Sequence, residues 1–294
     1  MSTMFYAECL ERLKTAWSGL PDKPEEEPES TLATLWWYSF AGETYSPEIR
    51  EAQLPELTDH QVETLIHLLD ERMNGTPLAY ITGFQFFMGY PFYASRSAMI
   101  PRRETEILVR AALDLLEHNQ PREILDVCTG SGNIILTIAN QNHNCSGFGS
   151  DLSPDAIELA QRNAARLALD HRIQFVSGDL FAPFDSDMYY HRFDLITCNP
   201  PYISSAQVEK MPREISDFEP RLAFDGGPFG VKILTRFIRE APNYLKPSAW
   251  MCFEVGAGQG QAIQKILAKV PGIQELKTFC DHRDEIRALA AQLK

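Results

Sequence analysis

No stretch of the chain approaches the ~18 consecutive apolar residues that a membrane-spanning helix needs. The opening residues, MSTMFYAECLERLK, lack the basic-then-apolar order of a secretory signal and carry acid early. Basic residues are few beside acidic ones, 27 against 40, giving a formal net charge of −13. No lysine- or arginine-rich run occurs, and this weighs against nucleic acid as a main partner, because phosphate binding usually shows as a basic surface. Cys9, Cys128, Cys145, Cys198, Cys252 and Cys280 form no C-x-x-C pair and no Cys/His cluster with zinc spacing. They read as reduced, mostly buried thiols of a cytoplasmic protein. His191 and His282 have no ligating neighbours in the sequence, so no metal is expected.

What remains is an ordinary globular composition, 44% hydrophobic and 23% charged over 294 residues. That excludes wholesale disorder and fits a core domain of about 180–200 residues with a smaller one beside it. The first quarter reads helical. Cys9, Leu10, Leu13 and Trp17 fall at helical spacing, and PDKPEEEPES then reads as a solvated loop. Leu32 to Phe40 is an apolar stretch. Thr58 with Gln61 makes a capping box ahead of a helix that puts Val62, Leu65, Ile66, Leu69 and Met73 on one face. Residues 84–100 are aromatic and β-rich, a hairpin punctuated by Gly89 and Pro91, and Pro101 opens a further helix.

From residue 122 strands and helices alternate. Strands are expected at 123–127, 147–151, 173–177, 193–198 and 249–255. Helices are expected at 133–141, 154–167, 230–244 and 260–268. This order implies an α/β fold with a parallel sheet covered on both faces.

Four strand ends carry chemistry. The first strand runs through Asp126 into a glycine-rich turn, Cys128-Thr129-Gly130-Ser131-Gly132. Glycines allow a sharp bend and close approach of a ligand beyond the carboxyl end of a strand. A third glycine for a dinucleotide is missing, Ile135 standing in its place, and no Gly-Lys-Ser/Thr follows for a P-loop. Asp126 disfavours a diphosphate and suits a cationic or hydroxyl-bearing ligand. A tight turn without a ligand has the same sequence. Asp151 closes the second strand, where a carboxylate can accept both ribose hydroxyls, and the same stretch can cap the helix after Ser153-Pro154. Asp179 and Leu180 follow the third strand, placed for an adenine ring or as a plain turn.

At the end of the fourth strand stands Asn199-Pro200-Pro201-Tyr202. Two prolines stiffen the chain and lack N–H groups. The Asn199 amide oxygen and the Pro200 carbonyl can accept both hydrogens of one planar NH2 group, with Tyr202 packed over the amide plane. Such a clamp positions a weak nitrogen nucleophile and favours charge growing on it.

In this order the motifs resemble a class I (Rossmann-like) S-adenosylmethionine-dependent methyltransferase, and as a set they resemble the HemK/PrmC family. Beyond NPPY the resemblance covers GTPLAYITG at 75–83, IPRRETE at 100–106, DLSPDAIELAQRNA at 151–164, FEPRLAFDGG at 218–227 and FEVGAGQG at 253–260. A closing strand falls within 281–293.

The resemblance implies a helical N-terminal domain, 1–83, that helps to seat the substrate. It implies a β-hairpin linker, 84–100, and a methyltransferase domain, 101–294. It also implies S-adenosylmethionine as cofactor, S-adenosylhomocysteine as product, and methylation of the glutamine amide in the GGQ motif of peptide chain release factors. Asp126, Cys128, Thr129, Gly130, Ser131, Gly132, Asp151, Asp179, Leu180 and Asn199 are expected at the cofactor. Asn199, Pro200, Pro201 and Tyr202 are expected at the glutamine, with Asn199, Pro200 and Tyr202 serving the transfer.

The chain departs from the family at Arg103 (usually Pro), Cys128 (usually Gly), Leu180 (often aromatic) and across 18–56. A diverged relative acting on a small molecule would drift in that N-terminal stretch, and a bare NPPY also occurs in adenine amino-methyltransferases of nucleic acid. Arg102 and Glu106 are read as pocket residues or a surface pair, and Glu219 with Arg221 as a substrate cover or an interior ion pair.

Overall fold

The computed structural model describes residues 3–17, 19–20, 23–42, 53–116 and 120–294. The capping box forms as read. The Thr58 hydroxyl accepts from the Gln61 N–H at 3.4 Å, and Gln61 Oε1 accepts from the Thr58 N–H at 2.9 Å. The helix they start, α3 (Asp59–Met73), packs with α1 (Thr3–Ala16) and α2 (Pro28–Ala41) around Leu13, Leu32, Leu35, Trp36, Leu65 and Leu69. Leu32 to Phe40 is thus the body of α2, which begins on a proline that its first turn tolerates. The proline- and acid-rich run before it is a solvated loop only in part, Pro24 and Glu27 being exposed and Pro28–Ser30 already helical. Lys23 and Glu26 are buried in ion pairs with distant residues, while Pro21 and Asp22 lie outside the described residues.

After α4 (Leu78–Thr82) the expected hairpin pairs β1 (Phe84–Phe87) with β2 (Tyr90–Tyr93), Phe84 opposite Tyr93. Met88 and Gly89 both take positive φ, 49° and 84°, the requirement of a two-residue turn whose twist matches its strands. Phe87 and Phe92 drop into one core with Leu108, Ile124 and Leu195, so the hairpin rides on the sheet. The helix expected from Pro101 starts later. Arg102 stays extended, drawn to Glu219, a 3₁₀ turn spans Arg103–Thr105, and α5 covers Glu106–Leu115.

The alternation then follows the reading closely: β3 (Arg122–Val127), α6 (Asn133–Gln141), β4 (Cys145–Asp151), α7 (Pro154–Arg166), β5 (Ile173–Ser177) and β6 (Phe193–Cys198). Two four-residue helices, α8 (Ser205–Val208) and α9 (Arg213–Ser216), precede α10 (Lys232–Glu240), β7 (Leu245–Glu254) and α11 (Gly260–Leu267). The chain closes with β8 (Ile273–Cys280), absent from the reading, and β9 (Ile286–Leu293). The seven-stranded sheet has the order β5-β4-β3-β6-β7-β9-β8. Strands β3 to β7 are parallel, and β9 is antiparallel to both its neighbours. Core clusters cover both faces. The strand order reverses between β3 and β6, so the carboxyl ends of those strands border the crevice where open α/β sheets bind ligands. Among the described residues no helix is long and apolar enough to cross a membrane.

Candidate active site

The loop after β3 bends because three of its residues, Cys128, Gly130 and Gly132, have φ of 59°, 54° and 79°. Glycine adopts this region freely, whereas a residue with a Cβ is disfavoured by roughly 1–2 kcal/mol. That is the physical sense of the glycine usual at position 128, and Cys128 bears the strain here. Gly132 does not face the crevice. A Cβ there would lie 3.0 Å from Leu136 and 3.1 Å from Phe175, so this glycine lets α6 pack on the sheet. Asp126 lies below the loop, fully buried. Its Oδ2 accepts from the Thr129 hydroxyl at 2.6 Å and its Oδ1 from the Thr197 hydroxyl at 2.7 Å, tying loop to β6. Burial pushes its carboxyl up to about 7. Neither Asp126 nor Gly132 lines the cleft.

Asp151 stands at the end of β4. Its Oδ2 accepts from the Gly130 N–H at 2.8 Å and its Oδ1 from the Ser153 N–H at 3.0 Å, so it braces the loop. The cap of α7 is Ser153, whose hydroxyl accepts from the Ala156 N–H. Burial raises the Asp151 carboxyl above its ordinary value. Beyond β5, Asp179 is gripped by Arg236 through both oxygens, at 3.1 and 3.0 Å. Leu180 takes a φ of 49°, and its carbonyl accepts from the Ser150 hydroxyl.

At the end of β6, Asn199 Nδ2 donates to Thr105 Oγ1 at 3.2 Å. The Tyr202 hydroxyl donates to Glu254 Oε1 at 3.0 Å, and the Tyr202 carbonyl accepts from Gln259 Nε2 at 2.9 Å. The backbone of this corner is enclosed by glycines. A Cβ on Gly226 would meet the Pro201 carbonyl oxygen at 2.5 Å, and one on Gly230 would meet the Tyr202 oxygen at 2.2 Å. The flanking FEPRLAFDGG and FEVGAGQG segments are therefore packing partners of NPPY.

These elements enclose a cleft of about 1170 Å³, counting the part open to solvent. Cys128, Thr129, Gly130, Ser131, Asp151, Asp179, Leu180, Asn199, Pro200, Pro201 and Tyr202 line it, as read from the sequence. Sequence reasoning missed Ala98 and Met99, which follow the hairpin, and Leu222, Ala223 and Phe224, which come after NPPY. IPRRETE, which follows Ala98 and Met99, and FEPRLAF, which contains the other three, were the available signal.

The segment over the cleft is fastened from three sides. Buried Glu219 accepts from the Ile100 N–H at 2.8 Å and pairs with Arg102. Arg96 donates to the Asp217 carbonyl at 3.0 Å and lies over the Phe218 ring. Arg72 reaches Glu214. Arg102 and Glu219 thus form an interior ion pair. Arg221 is at the surface with Glu209 and Asp225, and Glu106 pairs with Arg110 there.

Known proteins resemble this chain. A family model described as Methyltransferase domain matches residues 118–269. The release factor glutamine methyltransferase of Geobacter sulfurreducens is 37% identical over 214 residues, 73% of this chain and 70% of that one. That of Moorella thermoacetica is 34% identical over 223 residues, 76% of this chain and 77% of that one. Among solved structures, the hMettl16 catalytic domain in complex with MAT2A 3′UTR hairpin 6 has a TM-score of 0.55 at 16% identity, covering 86% of this chain and 91% of that one, a likeness of fold alone. Sheet order and matches agree on the expected fold, that of class I S-adenosylmethionine-dependent methyltransferases. The release factor glutamine methyltransferase of Caulobacter vibrioides is 31% identical over 92% of both chains; with likeness sustained through the N-terminal helices as well as the sheet, the chain belongs to the release factor glutamine methyltransferase family.

Proposed function

We propose that the cleft methylates the side-chain amide of a glutamine, the one in the GGQ motif of a peptide chain release factor, at the Asn199–Tyr202 corner. The observation that carries this reading is the corner itself. It offers two neutral acceptors, Asn199 Oδ1 and the Pro200 carbonyl, in a cleft whose charged lining residues are Asp151, Asp179 and Asp225. Among the described residues no lysine or arginine lines it. That donor set fits S-adenosylmethionine, which is cationic and rich in hydroxyls, and it does not fit a phosphate.

Asp151 would hold the ribose hydroxyls, Cys128 to Ser131 would pass alongside, and Asp179 with Leu180 would border the adenine. When bound, the cofactor supplies a methyl group on a positively charged sulfur, open to direct displacement. Asn199 and Pro200 accept the two amide hydrogens and hold the nitrogen in place. They also draw density toward that nitrogen as it gains charge, and hydrogen-bond positioning of this kind is where such sites gain rate. Neutral acceptors suit the task, because a nearby cation would repel the sulfonium. The helices of 1–83 and the hairpin of 84–100 would seat the protein substrate, leaving 101–294 to carry the transfer.

The test is transfer of labelled methyl to a release factor carrying GGQ beside one carrying GGA. Label in the first and none in the second is expected. Label in neither, or in both equally, would overturn the reading.

A further inference from the structure

We propose that Asn163 is a positioning residue that fastens the cofactor loop to the hairpin, so that the element seating the protein substrate and the element holding the methyl donor keep one fixed relation. The inference rests on the hairpin helping to seat a release factor, and it adds what sets the distance between the two. Asn163 lies near the end of α7 and is 0% exposed. Ala156, Ile157, Leu159, Ala160 and Ala164 make up the rest of the buried face of that helix, a row in which an apolar side chain is the ordinary choice. A buried carboxamide there costs free energy unless its polar atoms are partnered.

The partners come from two elements. Oδ1 accepts from the Tyr93 N–H, at the end of β2, at 2.7 Å. Nδ2 donates to the Ser131 carbonyl, in the turn after β3, at 2.9 Å, and to the Tyr93 carbonyl at 3.4 Å. The side chain thus meets both backbone groups of Tyr93 as a neighbouring strand would, and carries the pairing on to the loop. A carboxamide joins an acceptor to a donor in one plane, whereas an ionised carboxylate accepts alone. Small residues bring the pieces close. A Cβ on Gly132 would lie 3.3 Å from Ala160, and Ala98 packs on Ala156 and Leu159 with Tyr93 beside it. On the outer side Arg166 lies over the Phe84 and Tyr93 rings, at 4.5 and 4.9 Å, and donates to the Tyr93 hydroxyl at 3.1 Å.

No residue of β1, β2 or their turn lines the cleft, so the hairpin acts on the transfer through what it is fastened to. The chain leaving Tyr93 runs into Ser97, Ala98 and Met99, which do line the cleft, and Ser131 lines it from the loop. Asn163 joins these two walls from behind. A misplacement of about 1 Å between reacting groups can cost roughly 100-fold in rate even where both partners still bind. Loss of Asn163 therefore falls on kcat, whereas a residue serving stability alone would leave kcat intact below the unfolding temperature.

Hydrogen exchange tests the link without a protein substrate. Saturating S-adenosylhomocysteine should slow exchange of the hairpin amides, the Tyr93 N–H above all, by about threefold or more in wild type. Asn163→Asp keeps an acceptor for the Tyr93 N–H and loses the donor to Ser131. In that variant the loop should still respond to S-adenosylhomocysteine and the hairpin should not. Turnover of release factor is the second measurement. Assayed well below the unfolding temperature with both substrates saturating, Asn163→Asp and Asn163→Ala should each show kcat lowered roughly tenfold or more. S-adenosylhomocysteine affinity, read by calorimetry, should fall about tenfold or less, the scale of one hydrogen bond to the loop. A hairpin indifferent to S-adenosylhomocysteine in wild type, a hairpin that responds equally in Asn163→Asp, or wild-type kcat in both variants would each overturn the proposal. Failure of wild type to label any release factor would instead overturn the functional reading, and the exchange experiment would still decide this one. Should the variants fold poorly, the wild-type exchange response carries the test.

Discussion

Arg72 donates to Glu214 Oε2 at 3.0 Å in the protein interior, joining α3 to the segment that covers the cleft. Two further charges complete the group. Lys23 Nζ lies 3.6 Å from both Glu26 and Glu214, and Arg72 Nη2 lies 3.4 Å from Glu26. Two cations thus face two carboxylates, all buried. Such a set contributes little net stability against apolar replacements, but removing one member strands a charge. Glu214→Ala should cost about 3–5 kcal/mol in urea unfolding. The double variant Arg72→Met, Glu214→Met should cost less than the sum of its singles. A Glu214→Ala protein as stable as wild type would show that the four charges are not coupled.

Asn199→Ala removes one of the two acceptors proposed for the substrate amide. Turnover of release factor should fall roughly 100-fold, the scale of a lost orienting dipole. S-adenosylhomocysteine should still bind, as calorimetry would report. Full turnover in this variant would discharge Asn199 from the reaction.

Asp151→Ala takes the carboxylate from the end of β4 and releases the Gly130 N–H it holds at 2.8 Å. Hydrogen bonds to a charged acceptor contribute about 1.5–3 kcal/mol, so affinity for S-adenosylhomocysteine should drop about 10- to 100-fold. Calorimetric titration checks this, and an unchanged affinity would place the ribose elsewhere.

Asp126 makes stability depend on pH in an unusual direction. Burial lifts its carboxyl from an ordinary 3.8 to about 7, against the pull of two threonine hydroxyls. Between those values the folded protein keeps a proton that the unfolded chain releases. The contribution of this group is most favourable below about 4, declines as pH rises, and levels off above about 7. The full change is up to roughly 4 kcal/mol. Urea unfolding at pH 5 and pH 8 should find wild type losing more stability across the interval than Asp126→Asn. Equal losses would show that another group titrates.

Most of the parallel strands were legible as short apolar runs with glycine, aspartate or asparagine at or just after their ends, and β5 and β6 fall where that pattern puts them. NPPY, the glycine turn and Asp151 were legible for the same reason, since a parallel sheet collects the carboxyl ends of its strands. Asp126 and Asp151 look alike in sequence, and the hydroxyls of Thr129 and Thr197 turn the first into a buried tie. β8 was not legible. It is an edge strand, mostly exposed, whose QELKT carries no alternating pattern, and its pairing with β9 defines it. α8 and α9 are too short for any periodicity to show. Lys23 and Glu26 sit in a stretch whose local composition implies solvent, and the carboxylate that shares their site is contributed by Glu214, far along the chain.

The four-charge group also bears on how the molecule comes into being. When the first three helices leave the ribosome they bring Lys23, Arg72 and Glu26, and the second carboxylate that pairs with both cations is not synthesised until residue 214. A fragment ending at residue 83 would lack the Glu214 carboxylate that Arg72 and Lys23 share. The amino-terminal helices gain that partner only after much of the sheet has been made, so this end of the protein is born first and completed late.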